Sequence, residues 1–161
     1  VIRLSRLADY GIVLTTQVAR YPNRHWSAPE LAAATGIPLP TTSKLLKTLV
    51  RSGVLVSHRG ARGGYGLADA ERRVSVAEVI EAVEGPIAIT SCLDPNGSDC
   101  SLDSVCLTRT NWNTINRAIR VALAAVSIEE MATAVPEAFM DSHADDEAGR
   151  KQARPSGHLS A

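Results

Sequence analysis

Leu4, Leu7, Gly11, Leu14 and Val18 recur at steps of three and four. That spacing lines one face of an α-helix and predicts a first helix from Ser5 to Arg20 with this stripe turned to the core. Tyr21-Pro22-Asn23 breaks it. Ser27-Ala28-Pro29-Glu30 is a capping box, in which the serine hydroxyl takes the Glu30 amide while Glu30 reaches back. It opens a short helix over Ala28–Ala34, which Thr35-Gly36 closes and Ile37 anchors. A third helix starts near Pro40, where a missing N–H costs little, and runs to Ser52, with Gly53 beyond its C-terminus. Two short strands follow, Val54–Ser57 and Tyr65–Ala68, around the loop His58–Gly64, and Leu55 and Leu67 pack the hairpin onto the helices. The order of helix, helix, turn, helix and hairpin is that of a winged helix-turn-helix.

A second capping box, Ser75-Val76-Ala77-Glu78, opens a helix carrying Val76, Val79, Ile80 and Val83 on one face, and Gly85-Pro86 ends it. Residues 86–105 read as a loop. A long helix then runs from about Asp103 to Val126, with Trp112, Ile115, Ile119, Ala122 and Val126 repeating at alternating three and four. Such a seam needs a partner helix, and a symmetric homodimer supplies one. The alternative is packing within the chain against Leu7 and Leu14. Beyond Pro136 the sequence is polar and poor in apolar residues, the pattern of a disordered tail. The fold class expected is mainly α with a small β-hairpin. Its parts are a DNA-binding winged helix-turn-helix over 1–85, a cysteine loop over 86–106, a dimerisation helix region over 107–134 and a tail over 135–161.

The third helix has the two faces of a recognition helix. Leu45, Leu46 and Leu49 form its buried stripe, and Thr41, Thr42, Ser43, Lys44, Lys47 and Arg51 form the other face. Thr41 to Lys44 fall in the first turn, which enters the major groove of double-stranded DNA most deeply in this motif. Their hydroxyls and ammonium can meet base edges. Lys47 and Arg51 suit phosphates, which set position more than sequence. Arg59 and Arg62 on the wing suit a narrow minor groove.

Composition sharpens this picture. The net charge is +0, yet residues 1–73 carry eleven Lys/Arg against four Asp/Glu while residues 74–161 carry six against thirteen. A basic half followed by an acidic half suits an N-terminal unit that meets a polyanion. The apolar runs are far shorter than the ~20 residues of a spanning helix. The N-terminal segment carries Arg3, Arg6 and Asp9 instead of a signal-peptide apolar run, so a cytoplasmic, membrane-free protein is expected. C-x-x-C, Gly-x-Ser-x-Gly and phosphate-loop motifs are absent, which argues against an enzyme.

The three cysteines, Cys92, Cys100 and Cys106, lie within fifteen residues in the pattern C-x7-C-x5-C, with polar residues Asp94 to Asp99 between the first two. The spacing is not that of a tight zinc knuckle. Three thiolates suit an iron–sulfur cluster with its last ligand from elsewhere. They also suit a labile redox switch, a zinc site completed by His58 or His143, or three small buried hydrophobes.

Arg3-Leu4-Ser5-Arg6-Leu7-Ala8-Asp9-Tyr10-Gly11, the helix-turn-helix, the wing Arg59-Gly60-x-x-Gly63-Gly64-Tyr65 and the cysteine loop together resemble the IscR/NsrR/RirA iron–sulfur transcription regulators. The resemblance covers residues 2–134. The stretch Asn111-Trp112-Asn113-Thr114-Ile115-Asn116-Arg117-Ala118-Ile119 is most similar to the subgroup that regulates the SUF cluster-assembly system. The resemblance implies a dimer that binds a 2Fe-2S or 4Fe-4S cluster through Cys92, Cys100 and Cys106, with cluster occupancy controlling operator binding. Two departures stand out. Seven residues separate the first two cysteines where the family has five, and Arg109 stands where IscR proteins place a histidine ligand. NsrR-like members use an N-terminal aspartate from the partner subunit, and Asp9 matches that place.

Overall fold

Four helices open on a serine hydroxyl that accepts an amide hydrogen: Ser5 from Ala8, Ser27 from Glu30, Ser75 from Glu78 and Ser127 from Glu130. At the last three the glutamate carboxylate reciprocates by accepting from the serine amide, completing a capping box. In the computed structural model these caps fix where the chain enters each helix. The described residues are 3–60, 63–69, 72–97, 100–101 and 105–134; the tail expected over 135–161 lies outside them. The elements are α1 (Arg6–Ala19), α2 (Ala28–Thr35), α3 (Leu39–Arg51), β1 (Leu55–His58), β2 (Gly64–Leu67), α4 (Val76–Glu84), a single 3-10 turn (Ser91–Leu93), α5 (Arg109–Ala124) and α6 (Ile128–Thr133).

Helix α1 buries Ala8, Gly11, Ile12, Leu14, Thr15 and Val18, and the Thr15 hydroxyl turns back onto the Gly11 carbonyl at 2.8 Å. The expected stripe needs correcting at its start. Leu4 and Leu7 stay 45% and 42% exposed. Leu4 precedes the first turn, and Ala8 takes the core-facing place that the pattern assigned to Leu7. At Gly11 the close packing of α4 leaves no room for a side chain, since a Cβ there would lie 2.9 Å from Val83 Cγ2.

Gly36 closes α2 in the left-handed region at φ 71°. Helix α3 then buries Thr42, Leu45, Leu46 and Leu49. Thr42 was expected on the DNA-facing side and is instead fully buried, its hydroxyl donating to the Ile37 carbonyl at 3.2 Å. Positions 42, 45, 46 and 49 share one face at helical spacing, so the period overrides the side chain's polarity.

Strands β1 and β2 pair antiparallel from Leu55↔Leu67 to His58↔Gly64, one residue later than expected for the first strand and one earlier for the second. Trp26 bridges to the outer edge of β2: its amide donates to the Tyr65 carbonyl at 2.9 Å and its carbonyl accepts from the Tyr65 amide at 2.7 Å. A Cβ at Gly64 would meet the Trp26 carbonyl oxygen at 2.7 Å, so only glycine permits this approach.

The long helix is shorter than expected, starting at Arg109 rather than near Asp103 and ending before Val126. It buries none of its residues; Trp112 and Ile115 are 37% and 43% exposed. Helix α6 is an element the pattern did not announce. The Val76 amide donates to the Val126 carbonyl at 3.0 Å and the Ile128 amide to the Val74 carbonyl at 2.8 Å, which returns the chain to α1, where Ile128 is fully buried.

The three capping-box glutamates sit below the usual carboxylate range. Hydrogen bonds from the Ser27 hydroxyl and amide, helped by Arg24, lower Glu30. Burial pushes Glu78 up, but the Ser75 amide, its hydroxyl and the Arg72 guanidinium outweigh it. The Ser127 amide and hydroxyl, with Arg73, lower Glu130. A carboxylate lowered in the folded state contributes stability above its unfolded value and loses it as pH falls through the folded value. Thermal midpoints should therefore hold near neutrality and drop below about pH 4.3. The triple variant E30Q/E78Q/E130Q, which keeps the reach but not the charge, should melt lower at pH 7 and show a shallower acid limb in scanning calorimetry.

Candidate nucleic-acid interface and cysteine loop

Helix α3 presents Lys44, Lys47 and Arg51 to solvent, with Thr41 and Ser43 half-buried beside them. It contains no acidic residue, so nothing on the helix opposes an approaching phosphate. Leu45, Leu46 and Leu49 hold the opposite face against the core. The result is a rigid helix with cations along its outer side and two short hydroxyl side chains at its first turn.

The wing stands beside it. His58 ends β1, exposed, and its ring stacks on His25 at 4.0 Å with 19° between planes. Arg59 is exposed. Gly60 adopts φ 109° and its carbonyl accepts from the Gly63 amide at 2.9 Å across the wing tip. Arg62 lies outside the described residues. Arg24 has another task, lying 3.8 Å over the Trp26 ring and pairing with Glu30 at 3.0 Å.

Between α4 and α5 the chain carries three half-buried thiols, none in a disulfide. Cys92 sits in the 3-10 turn with its Sγ 3.3 Å from the Thr90 hydroxyl. Cys106 lies just before α5, its Sγ 3.4 Å from the Thr108 hydroxyl and its carbonyl accepting from the Arg109 amide. Among the described residues no three His, Cys, Asp or Glu side chains converge into a metal-holding group. Asp9 is exposed on the first turn of α1, and His143 lies outside the described residues. The donor chemistry of three thiols on one polar loop fits a thiophilic cluster, which would draw them together as it binds.

One polar residue here was not singled out from the sequence. Asn116, half-buried on α5, accepts from the Ile89 amide at 3.1 Å and donates to the Ile87 carbonyl at 2.8 Å. Nearby, Arg120 holds Glu81 of α4 through Nε at 2.7 Å and Nη2 at 3.2 Å. Beside Asn116 a cavity of about 640 Å³ opens between Pro86, Ile87, Ile89, Trp112 and Ile119. The sequence offered only a faint signal, an asparagine four residues after Trp112 and three before Ile119, on their side of the helix.

A family model described as iron-dependent transcriptional regulator, Rrf2, matches residues 4–134. The chain belongs to the Rrf2 family. Among its relatives, the transcriptional regulator IscR of Xenorhabdus nematophila is 30% identical over 132 residues, covering 81% of this chain and 79% of that protein. The repressor NsrR of Streptomyces coelicolor is 27% identical, covering 83% and 90%. Among solved structures, CymR, the global cysteine regulator of B. subtilis, superposes with a TM-score of 0.66 at 23% identity, covering 84% of this chain and all of that one. As an Rrf2 winged helix-turn-helix protein the chain is a DNA-binding transcriptional regulator and not an enzyme. Among the described residues no helix is long and apolar enough to cross a membrane.

These positions separate three outcomes on DNA. Lys47→Ala and Arg51→Ala should weaken binding to all sequences alike and reduce the slope of log affinity against log salt by about 0.9 per lost phosphate contact. Thr41→Ala and Ser43→Ala should shift sequence preference. Thr42→Ala should leave the salt slope unchanged and lower folding stability by about 1 kcal/mol. Anisotropy titrations across salt, with a thermal melt of each variant, measure all three.

Proposed function

We propose that this Rrf2 regulator is a homodimer whose affinity for a two-fold DNA operator is set by an iron–sulfur cluster held by Cys92, Cys100 and Cys106. The observation that carries the reading is the chain's whole cysteine complement, three thiols outside any disulfide, gathered on the one loop joining α4 to α5. The family's iron-dependent description and the kinship with IscR and NsrR support it. In this account residues 1–85 read DNA, 86–106 hold the cluster and 107–134 pair the subunits, all in the cytoplasm. Target genes would serve cluster assembly, as in the SUF system, or iron and redox stress.

Each group has a stated task. Thr41, Ser43 and Lys44 meet base edges, and Lys47 and Arg51 meet phosphates. Arg59 and Arg62 reach from the wing to the minor groove. Trp112, Ile115, Ile119 and Ala122, with Val126 just past the helix, pack on their copies in the partner, which accounts for a long helix with no fully buried residue in its own chain. The two α3 helices must then stand about 34 Å apart, one turn of duplex. When bound, a 2Fe-2S or 4Fe-4S cluster supplies a centre that responds to iron supply, oxidant or nitric oxide. Asp9 of the partner subunit completes its ligand set.

A second reading, in which the cysteines act as a thiol switch without a cluster, draws on their not converging among the described residues. The deciding experiment is anaerobic purification with a visible spectrum and a count of iron and acid-labile sulfide. Matched iron and sulfide, lost in Cys92→Ala, Cys100→Ala and Cys106→Ala and made less stable to oxygen by Asp9→Ala, are expected. Colourless protein without sulfide after reconstitution would overturn the cluster and leave the thiol switch, or, if zinc is found, a zinc site. An Asp9→Ala protein with unchanged spectrum and oxygen stability would remove the aspartate from the ligand set.

A further inference from the structure

The segment that leads into the first cysteine is fastened to α5 through one side chain. Asn116 Oδ1 accepts from the Ile89 amide and Nδ2 donates to the Ile87 carbonyl, so both faces of the side-chain amide are spent on loop backbone. A primary amide is the side-chain group that offers a strong donor and a strong acceptor on one carbon at this reach. From Ile89 the chain passes straight to Thr90, whose hydroxyl touches the Cys92 sulfur, and into the turn that carries Cys92. That turn is closed by the Leu93 amide on the Thr90 carbonyl at 3.0 Å and the Asp94 amide on the Ser91 carbonyl at 3.2 Å.

The third cysteine is fixed to the same helix by other means. The Arg109 amide donates to the Cys106 carbonyl at 3.4 Å, which ties Cys106 to the start of α5 just ahead of the helix. Asn116 lies two turns into α5, roughly 10 Å from Arg109 by helical rise. One helix therefore holds Cys106 at its leading end and grips the Cys92 segment near its middle. The cavity beside Ile87 and Ile89 gives that segment room to shift once the grip is lost.

We infer that Asn116 is a positioning residue that fixes Cys92 relative to Cys106. Its effect on a cluster rests on the reading proposed above; its effect on the thiol does not. Losing these two bonds lets residues 87–92 lift from α5 while α5, with Arg120 still on Glu81, keeps its place against α4. The Cys92 thiol becomes more accessible and the Cys106 thiol does not.

The test uses the full chain in two variants. Asn116→Ala removes both bonds. Asn116→Asp keeps the shape and the acceptor for the Ile89 amide but sets an oxygen against the Ile87 carbonyl. Reduced, metal-free protein is alkylated with N-ethylmaleimide and each cysteine is followed by peptide mass spectrometry, with circular dichroism as the check on folding. Cys92 should react about tenfold faster in both variants, since each lost hydrogen bond shifts a local opening severalfold. Cys106 should stay within about twofold, and Asn116→Gln, which retains both groups, should recover part of the protection. In reconstituted protein the same two variants should shift the visible spectrum and shorten survival in air. An unchanged Cys92 rate in both variants would overturn the inference, as would equal acceleration of Cys92 and Cys106, which marks general loosening. Selective exposure of Cys92 in protein that never takes up a cluster would uphold the positioning role and remove the cluster reading.

Discussion

The architecture turns on the crossing of α1 and α4 at Gly11. A Cβ there would lie 2.9 Å from Val83 Cγ2 and 3.5 Å from Val79 Cγ1, so any larger residue would force α4's side chains to shift. Helix α4 in turn contacts both α3 and α5, so the reading helix and the cysteine-bearing region share one support. Helix α6 closes the arrangement from behind α1, latched by the backbone rungs between residues 74–76 and 126–128. In the proposed dimer a change at the cysteine loop would reach α3 through α4, or the partner through α5, and the Arg120–Glu81 pair joins α5 to α4.

Charge is apportioned by the same economy. In the N-terminal half Glu30 is spent on its serine cap and on Arg24, which itself lies over the Trp26 ring. The exposed cations of α3 and the wing are left to face outward. The capping boxes at Ser75 and Ser127 engage Arg72 and Arg73 through their glutamates, so two more cations are tied to the scaffold. These pairings tie Arg24, Arg72 and Arg73 to the scaffold, while Lys44, Lys47 and Arg51 of α3 and Arg59 of the wing stay exposed, as do Arg3 and Arg6 at the start of the chain.

Much of the fold was legible because local rules and tertiary demand agree. Serine followed three residues later by glutamate marked two helix starts, and the Leu45, Leu46 and Leu49 stripe identified the buried face of α3. The misses have separate physical causes. Thr42 shares a face with those leucines, but its hydroxyl suggested the opposite side until the Ile37 carbonyl supplied a partner. Leu4 and Leu7 are apolar, and a pattern cannot tell whether the chain itself or a second subunit covers them. Helix α6 is too short to show a period, although Ser127-Ile128-Glu129-Glu130 carries the same cap signature as the other two. Asn116 was invisible as a loop anchor because its meaning depends on residues 27 and 29 positions away. The three cysteines could be read as a group on one loop, while their placement depends on loop geometry that spacing does not encode.

In the proposed regulator the state of the cysteine loop changes how the two α3 helices engage DNA. The most direct measurement is an anisotropy titration of one anaerobic preparation against a duplex selected from a random pool, before and after its iron is removed by a chelator. Affinity should change at least fivefold, of the order expected for coupled sites, with the change abolished in Cys92→Ala protein. Equal affinity in the two states, for protein shown to carry the cluster at the outset, would contradict it.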